Sequence, residues 1–444
     1  MNIVRGLIGI FSLLGIAFLF SNNKKEINWR LVIIGVGIQF ILAIFILKGN
    51  TLGTYFSPLA WPKDFFSWVS SFFVAVLNFT TQGASFIFGD LAKSPGTKGS
   101  MGSFFAFQVL PTIVFFGSLT SLLYHYGILQ RIVKYMAIVM QKLLGTSGAE
   151  SLSVISNIFV GQTEAPLIVK PYIERMTQSE LLAVMTGGMA TIAGGVMAAY
   201  IQMLGNSYSQ AHHVAITAGR LMFAQQLLGA SIMAAPAALV ISKMMYPETK
   251  TPMTSGKVKL SIEKTDANGI DAAASGAEQG LKLALNVGAM LLAFIALLAM
   301  INSILGWVGS VSGLNLILPG FHLNIQNILG LIFAPIAFLI GVPWHDVVHM
   351  GSLLGTKMVL TEFIAYMNLS KAVLAGTLAP KTITMATFAL CGFANFTSIA
   401  IQIGGIGGLA PSRKSDLAKF GIKAVIAGTL ANLMTATIAG MFFT

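Results

Sequence analysis

The sequence predicts an all-α polytopic membrane protein with about eight transmembrane helices and two re-entrant helical hairpins in an inverted repeat. Hydrophobic residues make up 55% of the 444 residues and charged residues only 9%, whereas an average soluble chain is about 25% charged. A chain so poor in charge cannot cover a water-exposed surface of this size, which predicts the bilayer. The hairpins are predicted by two glutamates that interrupt apolar segments about half a chain apart.

The spans are predicted from apolar length, because a helix needs roughly 20 apolar residues to cross a bilayer. Eight stretches satisfy this, at about 3–20, 31–48, 103–127, 180–204, 217–242, 283–307, 383–405 and 420–443. A further apolar run at 328–341 is short and contains Pro335. We expect that run to be interfacial or part of a broken element.

Charge predicts the orientation. Basic clusters that include Arg30, Lys134, Lys243 and Arg413 follow the first, third and fifth spans and precede the last. Placing these clusters in the cytoplasm puts the N-terminus outside, and with eight spans the C-terminus outside as well. The net charge of +12 is explained by such loops, so nucleic acid is not an expected partner. The single cysteine, Cys391, excludes a disulfide scaffold.

These features divide the chain into five regions. Residues 62–79 alternate apolar bulk with Trp and polar side chains, which suits a helix in the outer interface, with an extra short span as the alternative. The predicted regions are N-terminal scaffold spans at 1–60, an interfacial helix region at 61–102, a first repeat at 103–243 with a re-entrant hairpin at 149–172, a cytoplasmic loop at 244–282, and a second repeat at 283–444 with a hairpin near 344–370.

Glu164 and Glu362 differ from the other acidic residues, which lie in loops, at span ends or near basic neighbours. A carboxylate deep in a bilayer costs at least about 2.5–3.5 kcal/mol, so it normally faces a cavity or pathway; the alternative is a helix end in the headgroup layer. The two glutamates are 198 positions apart, each follows a threonine, and each precedes a span with a polar interruption, at 189–196 and 391–398. Paired interruptions of this kind point to a binding site near the bilayer midplane of a transporter.

The charge-derived orientation predicts that the two hairpins are inverted. The Glu164 segment enters from the cytoplasmic side, whereas the Glu362 segment follows the sixth span and enters from outside. The two tips would then meet. Non-helical backbone at that depth is tolerated only where protein or water buries it, which predicts a polar site between the tips.

The chemistry of this site favours a neutral solute that carries hydroxyl groups. Carboxylates accept hydrogen bonds from vicinal hydroxyls, amides match the mixed edge of a heterocycle, and an aromatic face stacks on a planar ring. Only Lys357 adds a cation nearby, which disfavours a strongly anionic substrate. The candidate residues are Gln162, Thr163, Glu164, Glu362, Asn395 and Ser398, with Phe393 and Val196 as apolar walls.

A cation site is predicted beside this solute site. Broken helices release backbone carbonyls that can ligate sodium. Four residues lie at the interruptions of the first half, namely Asn157, Val160, Thr191 and Ile192. The alternative is a proton taken by one of the glutamates.

These motifs resemble those of the concentrative nucleoside transporter family, and the resemblance covers nearly the whole chain. Gly161-Gln-Thr-Glu-Ala-Pro-Leu167 with Pro171-Tyr172 is similar to the first-hairpin signature, Glu362 in Leu-Thr-Glu-Phe-Ile-Ala-Tyr to the second-hairpin acid, and Gly392-Phe-Ala-Asn-Phe-Thr-Ser398 to the seventh-span motif. The length is that of the eight-span bacterial members.

The resemblance implies a function and a role for each residue. Gln162, Thr163 and Glu164 would face the nucleobase beside Val196 and Phe393. Glu362, Asn395 and Ser398 would hold the ribose hydroxyls, and sodium would lie near Asn157, Val160, Thr191 and Ile192. The implied protein is a sodium-coupled nucleoside symporter of the inner membrane, a homotrimer with an elevator-like movement. Proton coupling is the alternative, and purine or pyrimidine preference depends on pocket shape.

Two other classes of function are compared with this one. His345 and His349 are four positions apart and could ligate a metal on one helix face, but the general-base glutamate of the protease motif is missing. An enzyme is therefore not expected. A channel needs a continuous pore, whereas broken hairpins fit alternating access better.

Overall fold

The computed structural model describes residues 2–95, 97–255, 266–312 and 322–443, and no strand occurs among them. The helices of the first half are α1 Asn2–Leu19, α2 Trp29–Tyr55, α3 Trp61–Phe88, α4 Leu110–His125, α5 Ile128–Leu144, α6 Gly148–Ser156, α7 Gln178–Ala190, α8 Gly194–His212 and α9 Ile216–Met245. Those of the second half are α10 Gly269–Val311, α11 Ile325–Leu339, α12 Val347–Val359, α13 Glu362–Ala375, α14 Pro380–Leu390, α15 Phe396–Leu409 and α16 Lys414–Phe442.

Within the described residues, eight helical stretches are long and apolar enough to cross a membrane. Seven of them coincide with predicted spans, and the eighth is the stretch Trp61–Ala92. The predicted span 383–405 is absent from this set because its two helices have only 11 and 14 residues. The predicted class of an all-α, multi-pass membrane protein is confirmed.

Each half of the chain contains a helical hairpin that is too short to cross the bilayer. The first hairpin consists of α6 and two single helical turns, Ala165–Ile168 and Lys170–Ile173. The nine residues of α6 extend about 14 Å, against a hydrocarbon core of roughly 30 Å. The second hairpin consists of α12 and α13, which turn at Leu360 and Thr361. Both segments therefore fit re-entrant hairpins.

Each hairpin is followed by a broken span and then by a long helix. The first broken span is α7 and α8, with the helix interrupted at 191–193, and the second is α14 and α15, interrupted at 391–395. Asn395 caps α15 by accepting the Ser398 amide at 2.9 Å, so the chain can restart a helix at that depth. Both interruptions fall where the sequence predicts them.

The connectivity between the hairpins explains their opposite orientation. Four elements separate them: the first broken span, α9 and α10, which are long enough to cross the membrane, and α11, whose 15 residues are too few to do so. An odd number of crossings places the bases of the two hairpins on opposite sides. The repeat unit of hairpin, broken span and long helix is thus inverted, as predicted.

Polar contacts attach the base of each hairpin to the broken span that follows it. Ser147 and Glu150 form a capping box at the start of α6, and the Ser147 hydroxyl donates to Glu180 at 2.6 Å. In the second repeat, the Thr382 hydroxyl donates to Asp346 at 2.5 Å. Such caps satisfy amides that helix starts leave unpaired, and here they also fix each hairpin to its own repeat.

The structure corrects three predicted boundaries. Helix α10 begins at Gly269, capped by the Asn268 side chain, so the predicted loop 244–282 and span 283–307 are wrong at their shared border. Helix α3 extends past the predicted 62–79 to Phe88. Helix α11 covers Ile325–Leu339 instead of the predicted 328–341 and is continuous through Pro335. The basic residues Lys257, Lys259 and Lys264 of the predicted loop lie outside the described residues.

Glycines allow α10 to pack closely against α4. A Cβ added to Gly276 would lie 2.5 Å from the Gly117 carbonyl oxygen, and one added to Gly280 would lie 2.8 Å from the Ile113 carbonyl oxygen. Gly276 and Gly280 are four positions apart, the spacing with which membrane helices bring their backbones together. The resulting α4–α10 pair forms a wall that faces the hairpins and broken spans.

Candidate binding site

A cavity of about 560 Å³ lies between the α4–α10 wall and the two hairpins with their broken spans. This volume is typical of small-molecule sites. All eight residues predicted to contact the substrate line the cavity, namely Gln162, Thr163, Glu164, Val196, Glu362, Phe393, Asn395 and Ser398. The structure therefore brings together residues that come from four separate stretches of the chain.

Glu362 begins α13 and is held rigidly at the cavity wall. Its side chain is 5% exposed. The Tyr200 hydroxyl donates to Oε1 at 3.1 Å, and Asn395 Nδ2 donates to Oε2 at 2.8 Å. An ionised carboxylate has about four acceptor positions, so these two bonds fix its orientation and leave further lone pairs available. Glu362 can therefore accept hydrogen bonds from a ligand in the cavity.

Gln162 occupies the corresponding place at the tip of the first hairpin. Its Nε2 donates to the Ser398 hydroxyl at 3.2 Å, and its Oε1 accepts from Gln402 at 3.1 Å. Gln402 also donates to the Met185 carbonyl at 3.0 Å. This chain of amides determines which end of the Gln162 side chain acts as donor and which as acceptor.

The hydrogen bonds between the repeats are arranged crosswise. The first hairpin contacts the second broken span through Gln162 and Ser398. The second hairpin contacts the first broken span through Glu362 and Tyr200. Each hairpin tip is thus held by the other repeat, and the cavity exists only where the two repeats meet.

Glu164 differs from Glu362 in its surroundings. It is exposed and lines the cavity, and its carboxylate has no hydrogen-bond partner among the residues that the structure describes. A Cβ at Gly161 would collide with this carboxylate, which is the free end of a flexible side chain and would have to move. The Glu164 side chain therefore borders the cavity.

Two residues that the sequence did not single out organise the site. Tyr200 orients Glu362, and Gln402 orients Gln162. Each lies four positions after a predicted residue, Val196 and Ser398 respectively, and residues four apart share a helix face. This four-residue spacing is the sequence signal by which Tyr200 and Gln402 could have been identified. Tyr200 also stacks on Tyr366, with ring centroids 4.1 Å apart, which fixes its hydroxyl.

The four residues predicted to bind sodium lie around the first interruption. Asn157 and Thr191 are 2% and 1% exposed, and the Gly194 amide donates to the Phe159 carbonyl at 3.1 Å, which joins the hairpin tip to the broken span. Ile192 is buried beside Thr191, whereas Val160 also lines the cavity.

The region around Asn157 contains buried oxygen atoms without hydrogen-bond partners among the described residues. Asn157 Nδ2 donates to the Ser153 carbonyl at 2.9 Å, and this bond does not involve the Asn157 Oδ1 atom. Among the described residues, Asn157 Oδ1 and the Ser153 hydroxyl are buried with no hydrogen-bond partner. Buried polar atoms are rarely left unpaired, and these two are oxygens. The donor set therefore suits a hard cation, and Ser153 is a neighbour that sequence reasoning missed.

The two histidines considered for a metal do not form a metal-binding cluster. His345 Nε2 is 3.5 Å from Asp346 Oδ2, and the His345 side chain is 70% exposed. Within the described residues, no group of three or more His, Cys, Asp or Glu side chains could hold a metal ion. Asp346 instead accepts from Thr382 and from the Ala379 amide.

Comparisons with known proteins agree on one family. Models of the Na⁺ dependent nucleoside transporter match residues 8–91 with its N-terminus and 226–440 with its C-terminus, and a nucleoside recognition model matches 106–207. The uncharacterized transporter YutK of Bacillus subtilis is 45% identical over 443 residues and covers 100% of both chains. The nucleoside permease NupC of Helicobacter pylori is 41% identical and covers 98% of this chain and 96% of its own.

Solved structures give the same answer. The structure of CNTnw in an inward-facing, substrate-bound state has a TM-score of 0.85 and 43% identity, and covers 100% of this chain and 98% of its own. The family consists of transporters and not of enzymes. Since these matches extend from one end of the chain to the other, the protein belongs to the Na⁺-dependent, concentrative nucleoside transporter family.

Proposed function

We propose that the protein is a sodium-coupled symporter that imports nucleosides across the inner membrane by alternating access. The observation that carries this proposal is a cavity that both hairpins and both broken spans line together. A site between two inverted repeats changes the side to which it opens when one part of the molecule moves against the other. The structural neighbour CNTnw has been captured in outward-facing, intermediate and inward-facing states.

The ribose end of the substrate is assigned to Glu362, Asn395 and Ser398. Glu362 is a buried carboxylate that Tyr200 and Asn395 hold in place, and it can accept two hydrogen bonds from vicinal hydroxyls. Hydrogen bonds to a charged acceptor contribute about 1.5–3 kcal/mol. A neutral sugar supplies the donors without adding a charge, which is why the site suits a nucleoside.

The nucleobase is assigned to the first hairpin. Gln162 offers an ordered amide, Thr163 a hydroxyl and Glu164 a carboxylate that has no partner in the described structure. Together they present donors and acceptors to the edge of a heterocycle. Val196 and Phe393 lie on the cavity wall and would cover the faces of the base, with the Phe393 ring available for stacking.

Sodium is assigned to Asn157, Val160, Thr191 and Ile192. The unpaired Asn157 Oδ1 and Ser153 hydroxyl and the carbonyls freed where α7 ends supply oxygen ligands, as broken helices do in other transporters. The place lies directly behind the hairpin tip that carries Gln162. An ion bound there would order the tip before the nucleoside binds.

A proton is the second candidate for the coupling ion. The observation that favours it is the Glu164 carboxylate, which faces the cavity and has no partner among the described residues. A proton taken by Glu164 would change the same hairpin tip that sodium is proposed to order.

The orientation and assembly belong to the same proposal. Both termini are placed outside, as the basic clusters predict, and the family resemblance implies a homotrimer with an elevator-like movement of the hairpin domain. The cavity extends from Ser398 to Lys170 and Gln279. Those two residues lie towards the side assigned to the cytoplasm, so this conformation would be inward-facing.

The proposal is tested by uptake of a nucleoside panel into proteoliposomes, with sodium and proton gradients imposed separately. One charge that moves through 100 mV provides about 2.3 kcal/mol, which supports roughly forty-fold accumulation. We expect saturable uptake that a sodium gradient drives and that its dissipation abolishes. Uptake that follows only the proton gradient would favour the second candidate, a proton bound by Glu164, over sodium. Flux that is insensitive to both gradients would contradict symport.

A further inference from the structure

Lys357 is a buried lysine that the proposed transport cycle does not use. It lies in α12 of the second hairpin and is 2% exposed. Its Nζ donates to the Ala389 carbonyl at 2.9 Å and to Asn432 Oδ1 at 2.7 Å. Among the described residues, no carboxylate lies within 4.0 Å of this ammonium group. Its partners are neutral oxygens, as the ligands of a bound metal cation would be.

The oxygens around Lys357 belong to the place where the two broken spans touch. Asn432 of α16 donates to the Ala190 carbonyl at 2.6 Å and to the Cys391 carbonyl at 2.8 Å. Ala190 is the last residue of α7, and Cys391 directly follows α14. A Cβ added to Gly392 would lie 2.8 Å from the Ala190 carbonyl oxygen, so the two helix ends are in contact.

The C-termini of α7 and α14 lie at this contact, where a positive charge would be stabilised. Each helix end carries a partial negative charge from its unpaired carbonyls, and little water is present to screen it. Each repeat contributes one such end, at Ala190 and at Leu390. In the first repeat the proposed sodium ion lies at this end, whereas in the second repeat the Lys357 ammonium lies there.

When the two repeats are aligned on their interrupted helices, Lys357 lies in register with a proposed sodium ligand; the two glutamates, which are 198 positions apart, are offset from this alignment by two residues. Asn157 and Lys357 are 200 positions apart, and so are Thr191 and Cys391, the first residues after the two interrupted helices. Asn157 has a buried Oδ1 with no partner in the described structure. The second repeat has a long cationic side chain at the equivalent position, and that side chain reaches the oxygens of its own interruption.

We propose that Lys357 is a tethered cation that takes, in the second repeat, the place of the sodium ion in the first repeat. It thereby limits coupling to one sodium ion per nucleoside. This inference rests on the sodium coupling proposed above. Lys357 acts as a residue that determines ion stoichiometry, and it does not contact the substrate.

The test is a sodium titration of uridine binding to the purified full-length protein, with choline replacing sodium at constant ionic strength. Lys357→Asn places in the second repeat the residue type that Asn157 provides in the first repeat. It also removes the ammonium group and leaves its space free for an ion. We expect a Hill coefficient for sodium of about 1 in the wild type and approaching 2 in Lys357→Asn, with the half-maximal sodium concentration raised severalfold. Lys371→Asn, an exposed lysine of the same hairpin, is the matched control and should behave as wild type.

A Hill coefficient of about 1 and an unchanged sodium requirement in folded Lys357→Asn would overturn the proposal. If that variant does not fold, the reversal potential of wild-type transport in proteoliposomes decides: one charge per nucleoside supports the proposal, and two charges contradict it. If wild-type binding ignores sodium, the sodium coupling proposed above fails. In that case, sodium-dependent uridine binding in Lys357→Asn alone would still support the assignment of Lys357, and sodium-independent binding in both proteins would overturn it.

Discussion

Asn395 connects the substrate carboxylate to the restart of the second broken span, because its Nδ2 donates to Glu362 at 2.8 Å while its Oδ1 accepts the Ser398 amide at 2.9 Å. One side chain therefore orients the acid and caps α15. The acid cannot rotate without disturbing a helix start, which holds the proposed ribose site in one geometry before the substrate arrives.

The two roles of Asn395 can be separated by substitution. Asn395→Ser keeps a good N-cap residue but is too short to reach Glu362. We expect the melting temperature to stay close to wild type and nucleoside affinity to fall about tenfold, since a hydrogen bond to the charged acceptor is lost. Affinity and melting temperature measured on the same preparation check this. A large loss of stability with intact affinity would show that only the cap matters.

Glu362→Gln removes the acceptor charge and keeps the size of the side chain. We expect nucleoside affinity to fall about tenfold or more, from loss of roughly 1.5–3 kcal/mol. Uridine titration by calorimetry measures this. Glu26→Gln, an exposed acid far along the chain, is the control. Wild-type affinity in Glu362→Gln would remove Glu362 from the substrate site.

Thr191 tests the proposed sodium site. Its hydroxyl donates to the Gly187 carbonyl at 2.8 Å, so its lone pairs remain available to an ion. Thr191→Ala should raise the sodium concentration for half-maximal uptake roughly two- to tenfold, the range expected for a net interaction of 0.5–1.5 kcal/mol. Thr191→Ser keeps the hydroxyl and should behave as wild type. Equal sodium dependence in all three proteins would place the ion elsewhere.

A buried ion pair at the base of the first hairpin should stabilise the fold. Lys243 Nζ lies 2.7 Å from Glu150 Oε2, with side chains only 7% and 1% exposed. Removing one partner of such a pair typically costs about 3–5 kcal/mol, so Lys243→Met should lower the melting temperature markedly, and the double variant with Glu150→Gln should recover part of the loss. Lys282→Met breaks an exposed pair of equal length and should have little effect. Similar melting temperatures for the two single variants would contradict this account.

The sequence predicts the positions of the interruptions and of both glutamates because these depend on local chemistry. A carboxylate or an asparagine inside an apolar run is costly wherever the run lies, so its presence alone indicates a cavity. The start of α10 at Gly269 could not be predicted in this way, because its first turns are small and polar and resemble a loop. Only the Asn268 cap and the fit of Gly276 against Gly117 explain that helix start.

The crosswise contacts could not be predicted from local pattern either. Gln162 and Ser398 are separated by 236 positions, and their pairing depends on how two inverted repeats pack together. Gln402 has an ordinary position on a helix, and its role becomes visible only when its contact with Gln162 is known. Motifs thus predict which residues form the site, while the packing of the repeats determines which of them touch.

A structure of the protein with uridine in sodium buffer is the most direct test of the central claim that the two repeats build one nucleoside site. The account predicts the base beside Gln162 and Phe393, and the ribose hydroxyls within hydrogen-bond distance of Glu362. A nucleoside bound outside the cavity, or with its sugar directed at the first hairpin, would contradict it.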